Sequence, residues 1–306
     1  MDRTIIKIKP TAPFDFELTA GYHTYFQGRY GTDSLVGGVY RRLLDLGGKL
    51  VLASVRPEGS VSEPELAVEL QGDGLTPAEV AEAQRQVAWL LGTDQDLAPF
   101  YALSQGDSAL SAIAERFYGL HLPHTASVFE AMVLAILGQQ IATTVARIIR
   151  TLMIETYGPR QTIDGETYYA FPHAETLGAA PLEELRALKL SQRKAEYVQG
   201  IALEALNSSP QGFESLHRMS DDAVIQRVLA IRGVGRWTAQ WVLIRALGRP
   251  DALPLGDLAL RRVVSQVFFD GADLSDGQVE EFAARWSPWR TYATVYLFTA
   301  MRQGMG

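Results

Sequence analysis

The 306-residue chain contains no cysteine, which excludes disulfides, thiolate zinc sites and cysteine-ligated iron–sulfur clusters. Histidine is sparse, with five in all. His121 and His124 lie three apart, but Leu122 and Pro123 between them mark a loop, so two loop histidines are expected and no metal site. No apolar run approaches the ~20 residues that a bilayer-spanning helix needs. The first residues, Met1-Asp2-Arg3-Thr4, lead into strand-like alternation and not into the apolar core of a signal peptide. A cytoplasmic protein that enters no membrane is expected. Positive charge is also in deficit: 28 Lys and Arg against 35 Asp and Glu leave −7. Over the whole chain this counts against a nucleic-acid partner, because phosphate contacts need cations. Binding follows local charge, however. Between Arg193 and Arg262 ten Lys and Arg face seven Asp and Glu, a segment of net +3 in an acidic protein.

What is present is ordinary for a globular chain, at 47% hydrophobic and 21% charged residues. The length suffices for two or three packed units. Up to about Gly72 the pattern is of strands and turns. Ile5-Ile6-Lys7-Ile8-Lys9, Lys49-Leu50-Val51-Leu52-Ala53 and Leu66-Ala67-Val68-Glu69-Leu70 carry the strand signal, and Gly37-Gly38, Gly47-Gly48 and Pro57-Glu58-Gly59 mark turns. Thr76-Pro77-Ala78-Glu79 reads as a capping box with proline at the first helical position, opening a helix that stops at Gly92. From there the chain reads as helical. Ser127-Val128-Phe129-Glu130 is a second capping box, Gly138-Gln139-Gln140 breaks that helix, and another runs from about Ala142 to Tyr157 and ends at Gly158. Later helices begin near Pro181, Ser191, Ser220, Arg236, Asp257 and Pro288. The fold class expected is α+β: a small N-terminal α/β unit, residues 1–95, with an antiparallel sheet plus helices, then a larger all-α unit, residues 96–306.

Two features carry chemistry. Ile231-Arg232-Gly233-Val234-Gly235 joins two helical patterns, Asp221 to Ala230 and Arg236 to Ile244, by only a few residues. Its glycines let the backbone turn sharply and approach another surface. The free amides of the next helix's first turn would then favour an anion such as a DNA phosphate, without reading any base. A plain link between two core helices fits the same residues. Twenty-two residues past Gly235, Pro254-Leu255-Gly256-Asp257 precedes a further helix. Aspartate is a favoured helix N-cap. A carboxylate near such a hairpin would also stabilise the oxocarbenium-like centre that forms when an N-glycosidic bond breaks, or orient the attacking water. Both roles are compatible.

Gly233-Val234-Gly235, Trp237-Thr238-Ala239 and Pro254-Leu255-Gly256-Asp257, at this spacing, resemble the helix-hairpin-helix DNA glycosylases, and among them the alkylation-repair branch of the bacterial 3-methyladenine DNA glycosylase II type. Ala12-Pro13-Phe14-Asp15-Phe16, Phe129 through Gln140, and Ser287-Pro288-Trp289-Arg290-Thr291-Tyr292-Ala293 match further family blocks in order, so the likeness covers nearly the whole chain.

The resemblance implies that Asp257 is catalytic and that the helical unit divides into two subdomains with the active-site cleft between them. It implies DNA contacts from Arg232, Gly233, Val234, Gly235, Arg236 and Thr238. It implies a wedge that fills the gap left by the flipped base, at Gln139, Gln140 or Ile141, with Gln140 the best match. It implies an aromatic pocket for a positively charged alkylated purine, at Tyr22, Trp237, Trp241 and Phe298; core packing is the commoner fate of such residues. Branches that also cut the strand carry a lysine two positions after the hairpin's last glycine. Here that position is Trp237, which forms no Schiff base, so a monofunctional enzyme acting on alkylated duplex DNA is expected. A monomer without a cofactor is expected, and whether a monovalent cation sits at the hairpin carbonyls is left open. The alternatives are a glycosylase for oxidised or deaminated bases and a DNA-binding relative that has lost catalysis.

Overall fold

A computed structural model describes residues 2–207 and 212–304, so the outermost residues of the two expected units lie outside it. The N-terminal part comprises β1 (Asp2–Ile8), α1 (Phe16–His23), β2 (Arg29–Tyr30), β3 (Asp33–Val36), β4 (Val39–Asp45), β5 (Leu50–Pro57), β6 (Leu66–Gly72) and α2 (Pro77–Leu90). Its strands form one antiparallel sheet in the order β1-β6-β5-β4-β3-β2. Gly37 and Gly38, at φ +61° and +70°, close the two-residue turn between β3 and β4, as the right-handed strand twist demands. Alternate residues of β5 and β6 pack beneath α2, whose buried face is Ala83, Val87 and Leu90. The capping box at Thr76 and Glu79 is formed as expected.

α1 was not legible as a helix. Six of its eight residues are buried, so it lacks the one-sided apolar stripe that marks a surface helix. Asp15 starts it by accepting from the Leu18 amide.

The rest of the chain holds α3 (Ala98–Ser104), α4 (Ser108–Arg116), α5 (Val128–Gly138), α6 (Thr143–Tyr157), β7 (Arg160–Ile163), β8 (Glu166–Tyr169), α7 (Ala174–Ala179), α8 (Leu182–Ala187), α9 (Gln192–Asn207), α10 (Asp221–Leu229), α11 (Arg236–Arg245), α12 (Leu258–Phe268), α13 (Asp276–Ala283) and α14 (Arg290–Arg302). The expectation of an all-helical unit needs one correction, the β7–β8 ribbon. Its turn is Asp164-Gly165 with both φ positive, flanked by β-branched and aromatic residues, which is a hairpin signature in its own right. Ile163 and Tyr168 of the ribbon cover Leu43 and Leu52 on the other face of the N-terminal sheet.

Ser127 caps α5 through the Glu130 amide, but the second half of the expected capping box is missing. The Glu130 carboxylate instead accepts from the Ala126 amide and from Arg42 of β4, at 2.6 Å. Arg42 also grips Asp33, which accepts from Tyr40 and lies 3.6 Å from Arg150 of α6. Burial alone would push the Asp33 carboxyl up; Arg42 foremost, with His23 and Arg150, holds it well below the usual carboxylate range. This buried network ties the sheet to α5 and α6. His121 and His124 do lie in an irregular segment, but fully buried: His121 meets the carbonyls of Gly92 and Pro13, and His124 donates to that of Trp89.

Candidate active site

α10 and α11 are joined by the expected hairpin. Ile231 and Val234 turn their side chains into the core, at 9% and 8% exposure, so they anchor the hairpin and leave its backbone to face outward. Gly233 sits at φ +91°, and a β-carbon there would come within 2.3 Å of the Tyr197 ring of α9. Gly235 is the N-cap of α11 and contributes no capping side chain, so the first-turn amides and their positive dipole end are presented at an exposed position. Arg236 is exposed there too. Arg232 is exposed but engaged: it pairs with Glu196 at 2.9 Å and lies over the Tyr197 ring.

Asp257 is the N-cap of α12. Its Oδ1 accepts from the Ala259 and Leu260 amides at 2.9 and 3.3 Å. Its Oδ2 accepts from Trp237 Nε1 at 2.9 Å. The cap is formed as expected, and it uses one oxygen only: the other is aimed by an indole from the helix that follows the hairpin. Trp237 meets Trp241 edge-on at 6.2 Å, and Trp241 stacks on Phe298 of α14 at 6.1 Å and 17°. Tyr22 of α1 is fully buried, and Arg302 of α14 connects its ring to Phe298.

The cluster holds residues that the sequence did not reveal. The Arg302 guanidinium lies 4.4 Å from the Tyr22 ring, 4.0 Å from Tyr25 and 5.9 Å from Phe298. Arg302 stands four residues after Phe298, so i,i+4 spacing on α14 would have found it. Tyr25 follows α1 with Phe26, both in the left-handed region at φ +53° and +57°, a strained conformation that packing must enforce. No linear signal marks it. Tyr25 stacks on Tyr30 at 4.4 Å, and Arg150 covers the far side of that stack. Burial pushes the Tyr25 phenol up, Arg302, Arg245 and Arg150 pull it down, and the net shift is downward; Asp257 opposes them and is thus within electrostatic reach. Tyr22 Oη, Trp241 Nε1 and Arg302 Nη1 are buried without a protein partner. They are donors that a bound base could satisfy.

The three wedge candidates separate. Gln140 is exposed at φ +54°. Ile141 packs against the helical core. Gln139 does not point outward: its amide donates to Gly233 O and Thr238 Oγ1, both at 3.1 Å. Thr238 is correspondingly buried, at 1% exposure, so its hydroxyl is no phosphate ligand. Its position, one turn into α11, faces the protein interior.

Residues 133–288 match the model of the HhH-GPD superfamily of base excision DNA repair proteins. The chain is 31% identical over 208 residues to a DNA-3-methyladenine glycosylase of Bacillus subtilis, covering 68% of each chain. It superposes on a 3-methyladenine DNA glycosylase from Archaeoglobus fulgidus with a TM-score of 0.86 at 30% identity, over 98% of this chain and 99% of that one. An 8-oxoguanine glycosylase/lyase from Clostridium acetobutylicum shares the fold at 15% identity, with a TM-score of 0.77 over 99% of each chain.

Proposed function

Because the chain belongs to the HhH-GPD superfamily of base excision DNA repair proteins, we propose that it is a monofunctional DNA glycosylase that removes alkylated purines of the 3-methyladenine and 7-methylguanine type from duplex DNA. The observation that carries the proposal is the triply held Asp257, placed against the aromatic cluster and one helix away from the hairpin. The outward backbone of the hairpin and the first-turn amides of α11 take a phosphate. Gln140 enters the base stack as the damaged nucleotide leaves it. The extruded base lies against Tyr22, Trp241 and Phe298, whose faces attract a cationic purine.

The N-glycosidic bond then breaks with its electron pair going to the base. An alkylated purine is already cationic and leaves neutral, so no general acid is needed. The Asp257 carboxylate stabilises the positive sugar and directs water to C1′. The water proton is lost to Asp257 or solvent, and free base and an abasic site remain. Trp237 occupies the place where strand-cutting relatives have an amine, so the strand stays whole.

The test is a panel of single-lesion duplexes with the wild type and Asp257→Asn. Asparagine is also a good N-cap, so α12 should persist. We expect the wild type to release methylated purines without strand scission. The variant should lose on the order of 10²–10³-fold in single-turnover rate while binding duplex as before. Release of 8-oxoguanine with no methylated purine, or full activity of Asp257→Asn, would overturn the proposal.

A further inference from the structure

The turn that carries Gln140 lacks the usual local supports. Ala142, the N-cap of α6, provides no capping side chain. Gln140 holds a left-handed conformation that asparagine or glycine would adopt more readily. What fixes the turn comes from a distance. Lys194 Nζ of α9 donates to Leu137 O at 3.0 Å and to Gln139 O at 2.7 Å, covering two carbonyls at the negative end of α5. From the other side, the Gln139 amide is bound to Gly233 O of the hairpin and to Thr238 Oγ1 of α11.

α9 also reaches the hairpin itself. One turn beyond Lys194, the Tyr197 ring fills the space beside Gly233, and Glu196 pairs with Arg232. Three neighbouring side chains of one helix thus touch both segments assigned to DNA, and Gln139 joins those segments directly.

From this geometry, and resting on the glycosylase reading above, we infer that Lys194 and Gln139 are positioning residues for base flipping: they hold the Gln140 turn in register with the hairpin, so that a duplex gripped at the hairpin meets Gln140 already in place. Neither touches the reacting atoms. Lys194, one of the cations that make its segment basic, spends its charge on the protein's own carbonyls and not on phosphate.

A residue that positions a wedge matters in proportion to the work of opening the stack, whereas a merely structural residue matters equally for every substrate. Lys194→Met keeps the aliphatic stem and removes the donors. Lys194→Arg restores them, and Gln139→Leu cuts the other link without touching α9. Single-turnover release of 7-methylguanine is measured from two duplexes, one with the lesion paired to cytosine and one with it opposite an abasic analogue, where extrusion costs less. Expected for Lys194→Met and Gln139→Leu is a loss of roughly tenfold or more on the paired duplex and under about threefold on the other. Affinity for undamaged duplex should hold within about twofold, and Lys194→Arg should recover most of the rate. Equal losses on both duplexes, or no loss on either, would overturn the inference. A readout without chemistry separates it from the functional reading: in the Asp257→Asn background, 2-aminopurine at the target position should brighten on binding, and Lys194→Met should abolish that rise. Were the wild type to release no methylated purine, the glycosylase reading would fail, and the 2-aminopurine signal alone would decide the role of Lys194.

Discussion

Among single residues, Trp237 makes the most telling contacts. It stands in the first turn of the helix after the hairpin, borders the aromatic cluster and donates to Asp257 Oδ2 at 2.9 Å. Trp237→Phe keeps the ring against Trp241 and removes the N–H. A hydrogen bond to a charged group is worth about 1.5–3 kcal/mol, so single-turnover excision should slow roughly 10- to 100-fold, with duplex affinity unchanged in a binding titration. An unaltered rate would mean that the Ala259 and Leu260 amides alone orient the carboxylate. Asp257, Trp237 and Trp241 were singled out through the family resemblance, and the structure brings the three side chains together. Gln139 and Thr238 were expected to face DNA, and their side chains turn inward instead. A linear pattern shows that a polar side chain follows a helix break, but not that it folds back to meet a buried carbonyl. Tyr25 was invisible for a similar reason: it lies past a helix end, where no periodicity applies.

Among elements, the hairpin offers a paired comparison between its two glycines. Gly233 combines a left-handed φ with a position where an added β-carbon would clash with the Tyr197 ring, whereas a β-carbon on Gly235 meets nothing within 4 Å. Gly233→Ala should cost roughly 2–4 kcal/mol in urea unfolding, from backbone strain and overpacking together, and should weaken duplex binding as the hairpin shifts. Gly235→Ala should cost at most about 1 kcal/mol yet weaken duplex binding as well, because its methyl group would stand where the phosphate comes. Full affinity in the Gly235 variant would remove the phosphate from that end of α11. Most elements were readable from turn chemistry and caps. The β7–β8 ribbon was passed over although Asp164-Gly165 signals it, because helical patterns on both sides set the expectation. α1 was unreadable for a physical reason, since burial on nearly every side erases amphipathic spacing.

The molecule as a whole should respond to acid through its buried histidines, His23, His124 and His121, all held neutral by burial. Burial pushes His23 from 6.5 down to about 4 and His124 down to about 3, so the folded protein keeps both neutral. Unfolded, both take up protons below about pH 6.5. Their contribution to stability is therefore complete above that value and is lost as pH falls toward 4 for His23 and 3 for His124, at about 1.4 kcal/mol per pH unit for each. Urea melts from pH 7.5 to 4.5 should show the decline, and His124→Gln should make it shallower by roughly 1.4 kcal/mol per pH unit. A slope untouched by that change would place the acid sensitivity elsewhere. Asp33 behaves alike in sign but lower in pH: held ionised by Arg42, it loses its contribution only as pH drops below the ordinary carboxylate range. Finally, the aromatic cluster draws Tyr22 from α1 and Phe298 and Arg302 from α14, with one guanidinium touching rings from both. The cluster is therefore assembled only when both ends of the described chain have come together, so its rings and its guanidinium are a product of the complete fold and not of any one segment.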